Sequence, residues 1–184
     1  MILQQPLRTR QLIVAAFVAL GLLALNDDTL AQMKASEPDL KAAIIINMAM
    51  FVDWPAQEGT SGDQLAICYL TDSPVATALG KAQGKTMRNR TINVRKVAPD
   101  ALAGCHVVYL SPEERERLPR ILSAVRGAPV LVAGDTPEIF PDGSMLNLEL
   151  SGGHVVFDVN LRSAQKAGLQ ISSKALRLAR KVIE

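Results

Sequence analysis

The chain has 184 residues, in which 20 Lys and Arg nearly balance 18 Asp and Glu, so its formal net charge is only +2. Proteins that bind nucleic acid usually carry a clear excess of basic residues, and this chain does not, so we expect no DNA or RNA partner. The sequence has only two cysteines and two histidines, which leaves few side chains for metal binding or nucleophilic catalysis.

The first 31 residues predict export. Arg8 and Arg10 precede an apolar run over 12–25, and a polar stretch then ends at Ala31, which is the order of a secretory signal peptide. The run is shorter than the roughly 20 residues that a membrane-spanning helix needs. We therefore expect a cleaved signal, with an N-terminal membrane anchor as the alternative. Residues 32–184 are then long enough for one domain.

The two cysteines predict a disulfide, because an exported chain folds in an oxidising compartment. Cys68 and Cys105 are not in a C-x-x-C motif, so a metal or redox pair is the weaker interpretation. Two buried free thiols remain the alternative, since the sequence alone does not determine the distance between the residues.

The N-terminal half alternates helical and extended patterns. Ser36 is expected to cap a first helix whose apolar residues recur at helical spacing through Phe51, and Trp54-Pro55 is expected to end it. Strands are predicted over 65–70, 91–97, 106–110 and 130–133.

Two helices are predicted to follow these strands, beginning at Pro74 and Pro112, with Pro119 ending or kinking the second. Further along, strands over 145–150 and 154–159 flank Ser-Gly-Gly, which predicts a β-hairpin. An antiparallel pair is therefore expected beside the earlier strands.

The C-terminal segment is predicted to be helical. Asn160 can cap a helix that Gly168 ends, and Ser172 or Ser173 can cap a final helix whose apolar face reaches Val182. Together, these patterns predict an α/β fold: a single-domain layered sandwich with a mixed, mostly parallel sheet, a C-terminal β-hairpin and helices on both faces.

No segment predicts catalysis. Residues 80–86 resemble a phosphate loop but have three residues between the glycines, where that loop needs four. His106 and His154 each open a strand, and no Gly-x-Ser-x-Gly motif accompanies them. Adjacent residues of a strand face opposite sides, which argues against a metal shared by Cys105 and His106. We expect no catalytic residue, metal or cofactor.

Two basic stretches could meet an acidic partner, although the low net charge favours a solvated surface. Phe51 and Trp54 could likewise pack on the sheet or anchor an interface. The first stretch contains Lys81, Lys85, Arg88, Arg90, Arg95 and Lys96, and the second contains Lys174, Arg177 and Lys181.

Several segments, taken in order, resemble the YfiR/HmsC family of periplasmic regulators. The resemblance covers essentially the whole mature chain, and its C-terminal part is the most specific. The matching segments are 41–55 with Val-Asp-Trp-Pro at its end, 65–68, 102–111, 157–160 with Phe-Asp-Val-Asn, and 168–179.

The resemblance implies a periplasmic, non-enzymatic protein that binds the periplasmic sensor region of an inner-membrane diguanylate cyclase and represses it. Repression would lower cyclic di-GMP and biofilm formation. Cys68 and Cys105 match the positions of a family disulfide. A second cysteine pair found in some members is missing, because 145–156 contains none, and one structural bridge is expected.

The candidate contact residues are Phe51, Trp54, Asn160, Leu169 and Ser173. The chain is expected to reach the membrane only through its partner, and a homodimer is left open. Two other functions remain as alternatives: a periplasmic sensor that binds a small molecule, and a minimal hydrolase. A pocket with a few convergent polar groups would favour the sensor, whereas a histidine paired with a nucleophile would favour the hydrolase.

Overall fold

The computed structural model describes residues 35–55, 63–136 and 143–184. The predicted signal peptide lies outside these residues, and its cleavage therefore stays a prediction. From Ala35 to Glu184 the described chain belongs to one folded unit. Within the described ranges, no helix combines the length and the apolar character that crossing a membrane requires.

The helices lie near the positions that the caps predict. Ser36 caps the first helix by accepting a hydrogen bond from the Asp39 N–H at 3.3 Å. The helices of the described chain are α1 (Glu37–Ala49), α2 (Pro74–Gly80), a 3-10 helix (Pro112–Arg117), α3 (Leu118–Ala124), α4 (Leu161–Lys166) and α5 (Ser173–Leu176).

The strands of the described chain are β1 (Val52–Asp53), β2 (Gln64–Tyr69), β3 (Thr86–Met87), β4 (Arg90–Lys96), β5 (Val107–Leu110), β6 (Leu131–Gly134), β7 (Leu146–Ser151), β8 (His154–Asn160), β9 (Gln170–Ile171) and β10 (Lys181–Ile183). Eight of them form one mixed sheet in the order β10-β8-β7-β6-β5-β2-β4-β3. Neighbours are parallel except in the β7–β8 and β3–β4 hairpins, and the predicted fold class is confirmed.

Strand β2 lies at a topological switch point. Both strands beside it, β4 and β5, run parallel to it and follow it in the chain, one on each side. Connections from β2 and β5 therefore leave in opposite directions along the sheet. In open α/β sheets, such a point leaves a crevice at the carboxyl ends of the two strands.

Helices cover both faces of the sheet, as predicted. On one face, α1 and α2 pack in a core that includes Ile67 and Leu146. On the other face, Leu118 and Ile121 pack against Val108. Both cores consist mainly of aliphatic side chains that are withdrawn from water, and burial of this kind is the main stabilising contribution to the fold.

Of two predictions about helix ends, one is wrong and one is confirmed. Helix α1 ends at Ala49 rather than at Trp54, because Val52–Asp53 pairs antiparallel with Gln170–Ile171 in a separate two-stranded ribbon. The helix that begins at Pro112 ends at Arg117, next to the position where Pro119 is predicted to end or kink it, and Pro119 itself lies in the first turn of α3. Proline is tolerated there because the first N–H groups of a helix have no partner within the helix.

The final helix is shorter than the sequence predicts. It has a single turn, α5, with Ser172 as its cap, while Val182 lies in β10 and pairs with Val159 of β8. A helix of a few residues has little stability of its own. Hydrogen bonds and burial at the edge of the sheet therefore decide the conformation of this segment.

Cys68 and Cys105 form the predicted disulfide, with their Cα atoms 5.9 Å apart. The bridge joins β2 to the segment before β5, and both cysteines are buried. It lies in the core that α3 covers.

Candidate partner-binding surface

The β1–β9 ribbon assembles a surface corner from residues that are far apart in sequence. Val52 pairs with Ile171, and the N–H of Ser172 donates to the carbonyl oxygen of Phe51 at 2.9 Å. These contacts bring the residues after α1 beside the loop that begins α5. We call the surface formed by Phe51, Trp54, Arg88, Arg90 and Ser173 the aromatic corner.

Phe51 is held in place by an arginine. The Arg88 guanidinium lies 4.3 Å from the centre of the Phe51 ring and donates to the carbonyl oxygen of Met50 at 3.1 Å. Phe51 remains partly exposed. The ring also packs against the main core, and the cation–π contact stabilises the part of it that reaches the surface.

Trp54 makes a similar pair with the neighbouring arginine. The Arg90 guanidinium lies 5.4 Å from the centre of the indole ring, which also meets the His106 imidazole edge-on at a centroid distance of 5.6 Å. Trp54 is partly exposed. Its indole nitrogen is buried and has no hydrogen-bond partner in the described part of the chain.

His106 forms the base of this corner. Its Nδ1 accepts a hydrogen bond from the Ala66 N–H at 3.1 Å, which places the proton of the neutral ring on Nε2. Burial lowers the pKa of His106, and the positive charges of Arg90 and Arg95 lower it further. The fold thus favours the neutral form of His106 and uses its Nδ1 as a hydrogen-bond acceptor.

A strained turn presents both arginines. Arg88 and Asn89 connect β3 to β4, and their φ angles are 47° and 66°. A two-residue hairpin turn with both φ angles positive matches the twist of its strands, but residues with a β-carbon rarely adopt it. This turn carries Arg88 to Phe51 and leaves Arg90 next to Trp54.

The other two candidate contact residues lie inside the fold. Asn160 is the cap of α4, and its side chain accepts from the Ser163 N–H at 3.0 Å. Leu169 is 1% exposed and belongs to the core. Ser173, in contrast, is exposed at the start of α5. Contact of any of these residues with a partner stays a prediction.

An open cleft adjoins the aromatic corner. It has a volume of about 500 Å³ and lies where Gly168, with a φ of 77°, ends α4 close to Pro55. The residues that line it are Leu161, Gln165, Gly168, Leu169, Gln170 and Ile171.

The basic residues between Lys81 and Lys96 do not form one continuous surface, because they contact different partners. Lys81 pairs with Asp39 at 2.7 Å, Lys96 pairs with Asp72 at 2.5 Å, and Arg95 donates to the carbonyl oxygen of Ala103. Of the run, Arg88 and Arg90 lie on aromatic rings. Sequence reasoning missed these pairings, because nothing in the local pattern indicates which ring an arginine will reach.

Among the described residues, no group of three or more His, Cys, Asp or Glu side chains is placed to hold a metal ion. The fold and the corner together define a layered α/β domain with an aromatic and basic surface. A family model described as YfiR/HmsC-like matches residues 38–180, and the chain belongs to that family. The family supports a general role as a periplasmic regulator.

Two solved structures share the fold. A conserved domain protein from Vibrio cholerae O1 biovar El Tor N16961 has 13% identity and a TM-score of 0.56, covering 81% of this chain. The ABC domain in complex with L-Trp from Streptococcus pneumoniae has 10% identity and a TM-score of 0.51, covering 79% of this chain. The matches span 61% and 62% of those chains. At these identities they show the fold alone.

Proposed function

We propose that this protein is a non-enzymatic periplasmic repressor that binds the periplasmic sensor region of an inner-membrane diguanylate cyclase. Contact with the cyclase lowers cyclic di-GMP and biofilm formation, and the repressor reaches the membrane only through this partner. Family membership supports the regulatory role. The finer assignment follows from the family resemblance of the sequence.

The aromatic corner is the observation that supports a protein partner. Phe51 and Trp54 are partly exposed, and each has a guanidinium over its ring. Trp and Arg are enriched among the residues that contribute most to binding at protein interfaces. The arginines also restrict the motion of the rings before binding, which lowers the entropy cost of association.

The proposal is tested by deleting the gene and restoring it with variants, while cellular cyclic di-GMP is measured. Deletion is expected to raise cyclic di-GMP, and the wild-type chain is expected to lower it again. Trp54→Ala and Arg90→Gln are expected to restore repression poorly, because loss of an interface anchor weakens binding by about 2 kcal/mol or more. Trp54→Phe, which keeps an aromatic ring, should recover part of the effect.

Arg120→Gln is the matched control, since Arg120 is an exposed arginine of α3. It should repress like the wild type. Thermal unfolding of each variant separates lost contact from lost fold. Unchanged cyclic di-GMP on deletion, in every growth condition tried, would refute the repressor function. Full repression by Trp54→Ala and Arg90→Gln would refute only the choice of surface.

A further inference from the structure

A cavity opens between helices α3 and α4, and none of the residues that line it belongs to the aromatic corner. Three segments that are distant in sequence converge on it: 122–127 at the end of α3, 143–145 before β7, and 163–167 at the end of α4. Its volume is about 300 Å³, which is at the lower end of the range for small-molecule sites. A ligand that fills it therefore has few heavy atoms.

The floor of the cavity is apolar. Val125, Val132 and Met145 line it and are buried, and Leu122 of α3 lines it and is partly exposed. The Met145 N–H donates to the carbonyl oxygen of Val132 at 2.8 Å, so the sheet holds these two residues next to each other. Such a floor favours a ligand with a hydrocarbon body, because contact with it removes apolar surface from water.

Two cations lie at the mouth of the cavity. Arg126 lies just after α3, Lys166 is the last residue of α4, and both residues are exposed. None of the residues that line the cavity is acidic. The ion pairs of the described chain are made by other basic residues, namely Lys41, Lys81, Lys96 and Arg180. An anion at this mouth therefore meets two positive charges without competition from a neighbouring carboxylate.

The rest of the lining consists of small residues. Ser163 is held at the start of α4, where its N–H donates to the Asn160 side chain, and its hydroxyl can donate or accept a further hydrogen bond. Gly127 and Gly143 have φ angles of 76° and 132°. A β-carbon at Gly143 would lie 3.2 Å from Leu122 Cδ1, so glycine leaves this leucine its place in the floor.

We propose that this cavity binds a small aliphatic carboxylic acid, whose carboxylate pairs with Arg126 and Lys166 while its hydrocarbon chain contacts the apolar floor. Both parts of the ligand are needed, because exposed ion pairs are weak by themselves. The α4 residues that line this cavity differ from those that line the cleft beside the aromatic corner. The inference therefore does not depend on the proposed protein partner.

The test compares four probes in proton–nitrogen correlation spectra of the purified protein: hexanoate, hexanol, hexylammonium and acetate. Hexanoate is expected to produce saturable shifts of the amide resonances of 122–127 and 163–167. Hexanol and hexylammonium lack the anion, and acetate lacks the hydrocarbon chain. Each of these three probes should therefore bind about tenfold more weakly than hexanoate, or less tightly still.

Variants of the mouth and of the lining separate the two contributions. Arg126→Gln and Lys166→Gln should each weaken hexanoate binding by about threefold, and the double variant by about tenfold. Ala167→Leu should remove saturable binding, because Ala167 lines the cavity and the larger side chain would occupy it. The matched controls are Arg120→Gln and Lys174→Gln, which replace exposed cations outside the lining and should bind hexanoate like the wild type.

Several results would overturn the inference: no saturable shift with hexanoate, equal affinity for hexanol, or equal loss of affinity in the control variants. Unchanged hexanoate binding by the Arg126→Gln/Lys166→Gln double variant would overturn it as well. Shifts confined to 168–171 would place the ligand in the cleft beside the aromatic corner and would also contradict it. If Ala167→Leu does not fold, the double variant decides the question, because both of its residues are exposed.

Discussion

At the scale of single residues, His106 shows how one hydrogen bond determines a protonation state. Its Nδ1 accepts from the Ala66 N–H, so a second proton on the ring would break this bond. Burial and the charges of Arg90 and Arg95 act in the same direction and lower its pKa. The folded state therefore favours the neutral imidazole over the charged imidazolium.

This predicts a pH dependence of stability. As pH falls through about 6.5, the unfolded chain takes up a proton on His106 before the folded chain does. The free energy of unfolding should therefore decrease in this range and below it, until the lowered pKa of the folded state is reached. Urea denaturation at a series of pH values between about 7.5 and 5 measures this decrease.

His106→Gln should reduce this slope, because the side chain no longer titrates. His154→Gln is the control, since His154 is exposed at the start of β8, and it should leave most of the slope in place. An identical slope in wild type and His106→Gln would contradict the prediction.

At the scale of elements, the β3–β4 hairpin combines an uncommon backbone conformation with a position at the aromatic corner. Arg88 and Asn89 both adopt positive φ angles, where glycine and asparagine are the preferred residues. Residues in sparsely populated conformations persist where surrounding contacts compensate for them. Here the contacts of Arg88 with Met50 and Phe51 supply part of that compensation.

The turn gives a testable stability change. Asn89→Gly should raise the free energy of unfolding by about 0.5 kcal/mol, because glycine adopts this conformation without a steric cost. Asn93→Gly is the matched control in the extended β4 strand, and it should lower stability by about 1 kcal/mol. Chemical denaturation measures both. An equal loss in the two variants would refute the assignment of strain to the turn.

At the scale of the whole molecule, the disulfide links β2 to the segment before its neighbouring strand β5, which is far from β2 in the sequence. Cys68 and Cys105 are 37 residues apart. A cross-link over such a loop lowers the conformational entropy of the unfolded chain, which raises the free energy of unfolding by about 4 kcal/mol. Neither cysteine lines the cavity between α3 and α4 or belongs to the aromatic corner. We therefore expect it to affect stability, with no direct effect on ligand or partner contact.

The corresponding test is reduction of the folded chain. Reductant should lower the unfolding temperature of the wild type, and it should leave the Cys68→Ala/Cys105→Ala double variant unchanged. Thiol counting on the denatured, unreduced wild type should find no free thiol. Two free thiols, or a shift of the double variant by reductant, would contradict the expected bridge.

The sequence by itself determined the helices and strands that are specified by residues close to one another in the chain. The buried strands, the hairpin over 145–159 and the caps Ser36 and Asn160 were predicted because alternation and capping involve neighbouring residues. The order of these segments was also enough to indicate the family, which the family model confirms.

Only the tertiary structure decided the elements that depend on remote partners. Strand β1 of the ribbon and the edge strand β10 replace predicted helix, because pairing with distant strands outweighs weak local helical preference. The pairing of Arg90 with Trp54, and of Lys41 with Asp135, likewise depends on where the sheet brings remote side chains. Local periodicity carries no information about such contacts, because their energy arises only when the whole chain is folded.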